Sequence, residues 1–372
     1  MKRSAPKVSV LMSVYNGSQY LAESIESILE QTFGNFEFVI INDCSTDNTE
    51  AILARYAEQD ERIKLFTNDK NLGLTKSLNK GLNLAKGEYI ARQDADDVSL
   101  PKRLEKQVAL LDKEPEVVLV SCDIEVIDAE GYFVKYEKRS CPRFWVAWYL
   151  MFYNHIGGHS QVVFRRKSAI ELGGYCENYR YAQDYEFWCR LIKVGEIVIL
   201  PEVLHQLRRH GKGITSEKRP EQLNYALNVS RNNLKKLLNQ ELTLEEVFYL
   251  RKFWSGHVLG GFPEIQGVSF INNIQLELFE AFFKQTGVRY PLKPELSNQI
   301  HLMIGKQFIC WLWSLSIIKY LPLRLKISSY AFNWYPMGVI IFWLKEVYVR
   351  PLLLIKPQVT AIKKKLVKTS NF

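Results

Sequence analysis

Tyr89-Ile90-Ala91-Arg92-Gln93-Asp94-Ala95-Asp96-Asp97 is a short apolar run that ends on three carboxylates. Its first half is consistent with a buried strand, and the acids mark where that strand leaves the core. The same pattern recurs upstream. Val8-Ser9-Val10-Leu11-Met12-Ser13-Val14 is a β-branched-rich run broken by Tyr15-Asn16-Gly17. Leu21, Ile25, Ile28 and Leu29 then recur at helical spacing, with Glu23, Glu26 and Glu30 between them. A second apolar run, Phe36–Asp43, is followed by Ser45-Thr46-Asp47-Asn48-Thr49, which supplies N-cap residues for a helix over Glu50–Gln59. A third strand, Ile63–Thr67, leads through Asn68–Gly73 to a helix that runs through Lys80 to Ala85. Repeated β-α units of roughly 25–30 residues predict a parallel sheet with right-handed crossovers.

In such a sheet the ligand crevice lies beyond the C-terminal strand ends. The polar clusters sit at those ends: Tyr15-Asn16, Asp43, Asn71-Leu72-Gly73 and Asp94–Asp97. None follows GxGxxG or GxxxxGK[ST], so neither a dinucleotide fold nor a P-loop NTPase is supported. Downstream, the pattern predicts a helix over Pro101–Lys113, a strand over Val117–Cys122 and a further strand pair around Gly131. Residues 141–160 are aromatic-rich and carry no clear period. A strand over Gln161–Arg165 precedes a helix starting near Lys167, and Gln183–Leu191 reads as another helix. Residues 216–260 read as one or two amphipathic helices.

The 372 residues, 47% hydrophobic, suffice for one large domain, or for a catalytic domain with an extension, and exclude a disordered chain. The six cysteines include no CxxC pair, which argues against a disulfide scaffold or a zinc ribbon. Met-Lys-Arg-Ser-Ala-Pro-Lys enters a strand pattern directly, so no signal peptide is expected and the cytoplasm is the simplest compartment. The net charge is +9, yet from residue 296 onward eleven Lys/Arg stand against the single acid Glu346. The basic balance therefore belongs to the tail, and no nucleic-acid partner is expected.

Three carboxylates within Asp94–Asp97 repel one another unless cations neutralise them. Oxygen-only ligands favour Mg²⁺ or Mn²⁺, which stabilise a diphosphate leaving group. Read singly, the cluster is equally a solvated turn or a set of N-caps for the helix beyond it. Asp43 can accept from a nucleobase imide N–H or organise its own loop through an Asx-turn. Tyr15 can stack on a base or simply pack, and Lys76 can reach a base or phosphates or lie on the surface. Asp184, at the start of an apolar and aromatic helix, is placed either as a general base or as a helix N-terminal acid. His159-Ser160 before a strand, and Arg208-Arg209-His210-Gly211 after another, are candidate phosphate contacts.

Together these segments resemble family 2 glycosyltransferases of the GT-A fold. Val10–Asn16 is similar to that family's opening "PVYN" strand, with Ser13 in place of proline. Ile41–Thr49 resembles its "DDGSTDNT" segment, with Cys44 in place of glycine. Asn71-Leu72-Gly73, with Lys76 and Asn79, resembles "N.G...A.N". Arg92–Asp97 followed by Pro101–Leu104 resembles "DADD....P.RL". Gly173-Gly174-Tyr175 and Gln183–Trp188 resemble "GG(F/Y)....ED..LW.R", and Leu207–Gly211 resembles "YR.H". The resemblance spans about residues 7–216. It implies an α/β GT-A fold, mostly parallel, in residues 1–216, with a helical extension over 217–372. It also implies an inverting, hexosyltransferase-type enzyme of surface polysaccharide synthesis. A nucleoside-diphosphate sugar, first of all a UDP-sugar, would be the donor, and a glycan or lipid-linked hydroxyl the acceptor. By this resemblance Asp184 is the catalytic base and Asp96 the ligand of a Mg²⁺ or Mn²⁺ ion. Ser13, Tyr15, Asn16, Asp43, Asn71, Lys76, Asp94, His159, Arg208 and His210 are expected around the nucleotide sugar. The alternatives are a nucleotidyltransferase, for which Ser13–Gly17 lacks a Gly-rich basic phosphate loop, and an inactive nucleotide- or carbohydrate-binding scaffold.

Ile327–Leu344 carries no charge but holds Ser328, Ser329, Asn333 and Pro336, which argues against a bilayer span. Aromatic residues interleaved with basic ones over 307–355 fit an interfacial layer on anionic lipid. The expected location is therefore peripheral, on the inner face of the cell membrane.

Overall fold

The computed structural model describes residues 5–211, 219–256, 264–286, 294–314 and 321–344. The chain forms two compact units, Met1–Leu234 and Lys235–Phe372.

The first unit opens with β1 (Val8–Val14), α1 (Leu21–Leu29), β2 (Phe36–Asn42), α2 (Thr49–Gln59), β3 (Ile63–Thr67), α3 (Leu74–Leu84) and β4 (Tyr89–Arg92). These strands are parallel, in the order β3-β2-β1-β4. Side-chain alternation along β1 and β2 builds a core on each face. Val10, Met12, Phe38 and Ile40 meet Leu21, Ile25 and Ile28 of α1 on one face, and Leu11, Val39 and Ile41 meet Leu78 and Leu82 of α3 on the other. Gly81 lets α3 approach β1, because a Cβ there would lie 2.2 Å from Leu11 Cδ1.

The second half is mixed rather than parallel. It comprises β5 (Val98–Ser99), α4 (Arg103–Lys113), β6 (Val117–Ile127), β7 (Phe133–Glu137), α5 (Arg143–Tyr149), β8 (Val163–Arg165), α6 (Arg166–Glu171), α7 (Gln183–Leu191) and β9 (Glu196–Arg208). β8 runs antiparallel to both β4 and β6, β9 runs parallel to β6, and β5 lies antiparallel on β9. The parallel reading therefore describes the first four strands. After β4 the chain passes through α4 to α7 and lays down strands of both directions. α8 (Arg219–Leu238) begins past residue 216, yet its Ala226 and Val229 join the first unit's core and Ser230 Oγ donates to the Phe152 carbonyl at 2.7 Å.

Register sets the level of the strand ends. Val14 lies opposite Asn42, and Asn42 opposite Thr67. β4 stops lower, with Arg92 opposite Leu11. Gln93–Asp97 therefore climbs past the upper part of β1, and the acidic turn comes level with the other strand exits.

The second unit is helical where described: α9 (Leu244–Ser255), α10 (Ile265–Gln285), α11 (Pro294–Ser314), α12 (Leu321–Trp334) and α13 (Pro336–Leu344). A Thr243/Glu246 capping box starts α9, and Gly256 at φ +67° ends it. Phe253, Trp254, Phe279, Phe308 and Trp311 form an aromatic core. The uncharged stretch 327–344 is broken at Tyr335, between α12 of 14 residues, which begins before it, and α13 of 9 residues. At 1.5 Å per residue these are about 21 and 14 Å long, against a hydrocarbon core of about 30 Å. Among the described residues no helix is long and apolar enough to cross a membrane.

Candidate active site

Three carboxylates at the end of β4 have three different environments. Asp97 is buried; its Oδ1 accepts from the Arg208 backbone N–H at 2.9 Å, and its Oδ2 lies 3.2 Å from His205 Nε2. Burial, then the neighbouring Asp94 charge, pushes the Asp97 carboxyl up to about 7. Asp94 Oδ1 accepts from Arg92 Nη2 at 2.5 Å, while its backbone N–H donates to Ser160 Oγ at 2.6 Å. The Arg92 guanidinium is itself buried and donates to the Leu11 and Gln93 carbonyls and to His159 Nε2. Asp96 is the most open of the three, with 37% of its side chain exposed and Oδ2 2.9 Å from His210 Nε2. Burial followed by the Asp97 charge raises its pKa as well.

Asp184 stands apart from this turn, at the head of α7. The chain enters that helix through Ala182 in the left-handed region, φ +60°. Burial pushes the Asp184 carboxyl up to about 6; the backbone N–H of Tyr185 and the side chain of Asn154 oppose the rise. Asn154 Nδ2 donates to Asp184 Oδ2 at 2.8 Å.

The exits of β1 and β2 and the approach to α3 are loops tied to one another. Asn16, at φ +51°, accepts on Oδ1 from the Thr46 backbone N–H at 2.8 Å, and its own N–H donates to Ser45 Oγ. Tyr15 is half-exposed beside it, and Ser13 is partly buried on β1. Asp43 is buried and accepts from Asn68 Nδ2 and from the Leu72 and Gly73 backbone N–H groups, all within 2.8 Å. Its carboxylate thus anchors the loop that carries Asn71. Asn71 and Lys76 are both exposed.

Arg208, expected around the nucleotide sugar, has protein partners on every guanidinium nitrogen. It is buried; Nε donates to the Asp96 carbonyl at 3.0 Å, Nη2 to Glu23 at 2.6 Å, and Nη1 faces the Asp128 and Ala129 carbonyls. Its guanidinium is spent on shaping the acidic turn. His159 likewise lies behind Asp94, accepting on Nε2 from Arg92 and from the Tyr175 hydroxyl, which is 2.8 Å away. Burial holds its imidazole well below the usual histidine range, so it is a neutral acceptor. Sequence reading did not single out Arg92, Asn154, His205 or Glu23 as site residues. Arg92 and His205 are polar residues inside apolar strands, and that misplacement was the available signal.

The donor set fits a divalent cation. Asp96 and Asp94 offer hard carboxylate oxygens on a partly exposed turn, and burial together with mutual repulsion raises the cost of their charge, which a cation would relieve. Among the described residues no three acidic, His or Cys side chains converge on one point to hold a metal.

The Glycosyl transferase family 2 profile matches residues 9–173. An uncharacterized glycosyltransferase of Haemophilus influenzae is 34% identical over 249 residues, 64% of this chain and 76% of that protein. The O-antigen biosynthesis glycosyltransferase WbnJ of Escherichia coli is 32% identical over 188 residues, 50% of this chain and 71% of that protein. Among solved structures, residues 1–349 of S. aureus TarS in complex with UDP-GlcNAc superpose with a TM-score of 0.53 at 18% identity, covering 92% of this chain and 93% of that one. That likeness gives the GT-A fold, and the sequence relatives give the lineage: the chain belongs to glycosyltransferase family 2.

Proposed function

We propose that this glycosyltransferase is an inverting enzyme that moves a hexose from a nucleoside-diphosphate sugar, a UDP-sugar first of all, to a hydroxyl of a glycan or lipid-linked acceptor during surface polysaccharide synthesis. The observation that carries the reading is Asp184: a carboxylate pushed by burial to about 6, held by a hydrogen bond, in a unit whose strand ends present an acidic turn. The acceptor O–H proton passes to the Asp184 carboxylate as the oxygen attacks the anomeric carbon. The bond from that carbon to the diphosphate oxygen breaks on the opposite face. One displacement inverts the configuration, and no carboxylate nucleophile is needed.

Tyr15 stacks on the base, while Asn16, Ser13 and the Asp43-anchored loop with Asn71 and Lys76 border the nucleotide. Asp94 faces the sugar, and His210 stands beside the diphosphate. Asp96 would hold a Mg²⁺ or Mn²⁺ ion, which when bound supplies positive charge to the leaving diphosphate. Arg208 and His159 complete the set around the nucleotide sugar in this reading. The O-antigen role in WbnJ's name supports the polysaccharide setting, and the UDP-GlcNAc in the TarS complex is consistent with a uridine donor.

We assign the chemistry to residues 1–216 and membrane contact to the extension over 217–372. On α13, Met337, Ile340 and Ile341 share one exposed face, 59%, 44% and 43% accessible, just before the basic residues that follow 344. Incubation with a panel of nucleotide sugars and Mn²⁺, followed for donor hydrolysis and then for the anomeric configuration of the product, tests the reading. Hydrolysis of no donor, or a retained configuration, would overturn it.

A further inference from the structure

We propose that Asn154 is the positioning residue for the Asp184 base, and that the segment from Asn154 to Ser160 couples the base to the acidic turn. The inference rests on the reading of Asp184 as the base. All of the Asn154 amide is engaged. Nδ2 donates to Asp184 Oδ2 at 2.8 Å and to the Gly157 carbonyl at 3.1 Å, while Oδ1 accepts from the Gly157 backbone N–H at 3.3 Å. Chemistry alone fixes this orientation: the nitrogen faces a carboxylate and a carbonyl, and the oxygen faces an N–H. Gly157 closes the turn at φ +94°, a region that favours glycine.

Three residues on, the same segment reaches the other carboxylates. His159 accepts from Arg92, the partner of Asp94, and Ser160 Oγ accepts from the Asp94 backbone N–H. A short stretch of chain thus touches Asp184 at one end and the Asp94 turn at the other. A carboxylate offers about four lone-pair sites, so one donor on Oδ2 fixes its plane and leaves room for the acceptor hydroxyl. Asp94 faces Asp184 from the end of β4, Tyr175 from the turn after α6, and Cys189 from α7 itself. The Asp94 charge favours the protonated acid, whereas the Asn154 amide and the backbone N–H groups at the head of α7 favour the carboxylate.

The test uses the full-length chain with Asn154→Ala and Asn154→Asp, each also combined with Asp184→Asn. Thermal stability is measured from pH 4 to 8 for each pair, because the midpoint at which Asp184→Asn begins to matter reads the folded-state titration of Asp184 without any substrate. With Asn154→Ala that midpoint moves up by about one pH unit, and with Asn154→Asp, which keeps an acceptor for Gly157 but adds a like charge, it moves further. On the donor that the panel identifies, kcat falls about tenfold in Asn154→Ala with KM unchanged, and its acidic limb moves with the midpoint. A purely structural turn predicts the reverse order, with Asn154→Ala damaging, Asn154→Asp mild and the midpoint fixed; that result overturns the inference. If Asp184→Asn abolishes transfer while the midpoint stays fixed, the base stands and the Asn154 role falls. If the midpoint moves but Asp184→Asn remains active, the base reading falls and takes the catalytic role of Asn154 with it.

Discussion

Burial does two opposed things to Asp184. It pushes the carboxyl up to about 6, closer to the pH at which a base must work, and it charges the fold for keeping that carboxylate ionised. As the proposed base, Asp184 must be deprotonated to act, so kcat/KM should fall on the acidic side of about pH 6. Asp184→Asn should lower transfer by roughly 10²–10⁴-fold and leave nucleotide affinity in place. Stability should respond with the opposite sign. A carboxyl whose folded pKa lies above its unfolded value contributes stability that is fully present below the unfolded value and is lost as pH rises through about 6. Asp184→Asn should thus gain Tm relative to the parent between pH 4 and 7, and a gap that stays flat across that range would exclude the buried-acid account. Asp96 carries a second prediction. Asp96→Ala should cut turnover by two or more orders of magnitude, about 3 kcal/mol, with no further loss in EDTA. Full turnover of the variant in EDTA would refute a cation role. Asp94–Asp97 and Asp184 were legible in sequence because acids at the head or end of apolar segments break the local pattern. Asp43 and Arg208 also stood out, but the loop and the acidic turn that their side chains hold were not legible, because those partners are distant in sequence. Asn154 was not legible: its partner lies thirty residues away and nothing local announces the bond.

Among the elements, the β-α units through β4 follow from periodicity, because each strand is apolar and each helix carries a one-sided stripe. The return strands are harder. β9 carries Pro201 and Glu202 in its middle, and there the pairing with β6 slips between Leu200 and Val203. A bulge of this kind disrupts the alternation that would have announced a single long strand, while it carries His205 and Arg208 to Asp97. α5 eluded reading because it is only seven residues long and buries Val146 and Trp148, which are two positions apart and share no helical stripe. The glycine pair before Tyr175 has a geometric cause. Gly174 sits at φ +69°, and a Cβ there would lie 2.6 Å from Asn79 Oδ1, the atom that accepts from the Tyr175 backbone N–H at 2.8 Å. Gly174→Ala should therefore cost about 1–3 kcal/mol, seen as a lower Tm, through left-handed strain and the displaced Asn79. Gly173 is also left-handed, at φ +79°, but has open space around its missing Cβ. Gly173→Ala should be the milder of the two, and equal losses would show that the Asn79 approach contributes nothing.

At the scale of the whole molecule, charge and aromatic content are divided along the chain. The last residues from 296 carry eleven Lys/Arg, one acid and four of the eight tryptophans. Part of that aromatic content is spent internally, since Trp311 is buried against Phe253 and Trp334 Nε1 donates to Asn272 at 2.9 Å. Among the described residues of the second unit, Trp313 and Phe332 are exposed, as are Met337, Ile340 and Ile341 on one face of α13. An apolar face of this size next to basic chain is the pattern of an interfacial anchor rather than of a span. Each Lys or Arg near an anionic surface contributes about 1 kcal/mol, decaying within a Debye length, while inserted apolar side chains add attraction that salt does not screen. Sedimentation with vesicles should then show strong binding to anionic lipid at low salt, weaker but persistent binding at high salt, and weak binding to neutral lipid. Met337→Ser with Ile341→Ser should remove the salt-resistant part and leave the salt-sensitive part. Binding that vanishes entirely at high salt in the parent chain would assign the contact to charge alone, and no binding to anionic vesicles would exclude the lipid face and leave the second unit a packed helical body.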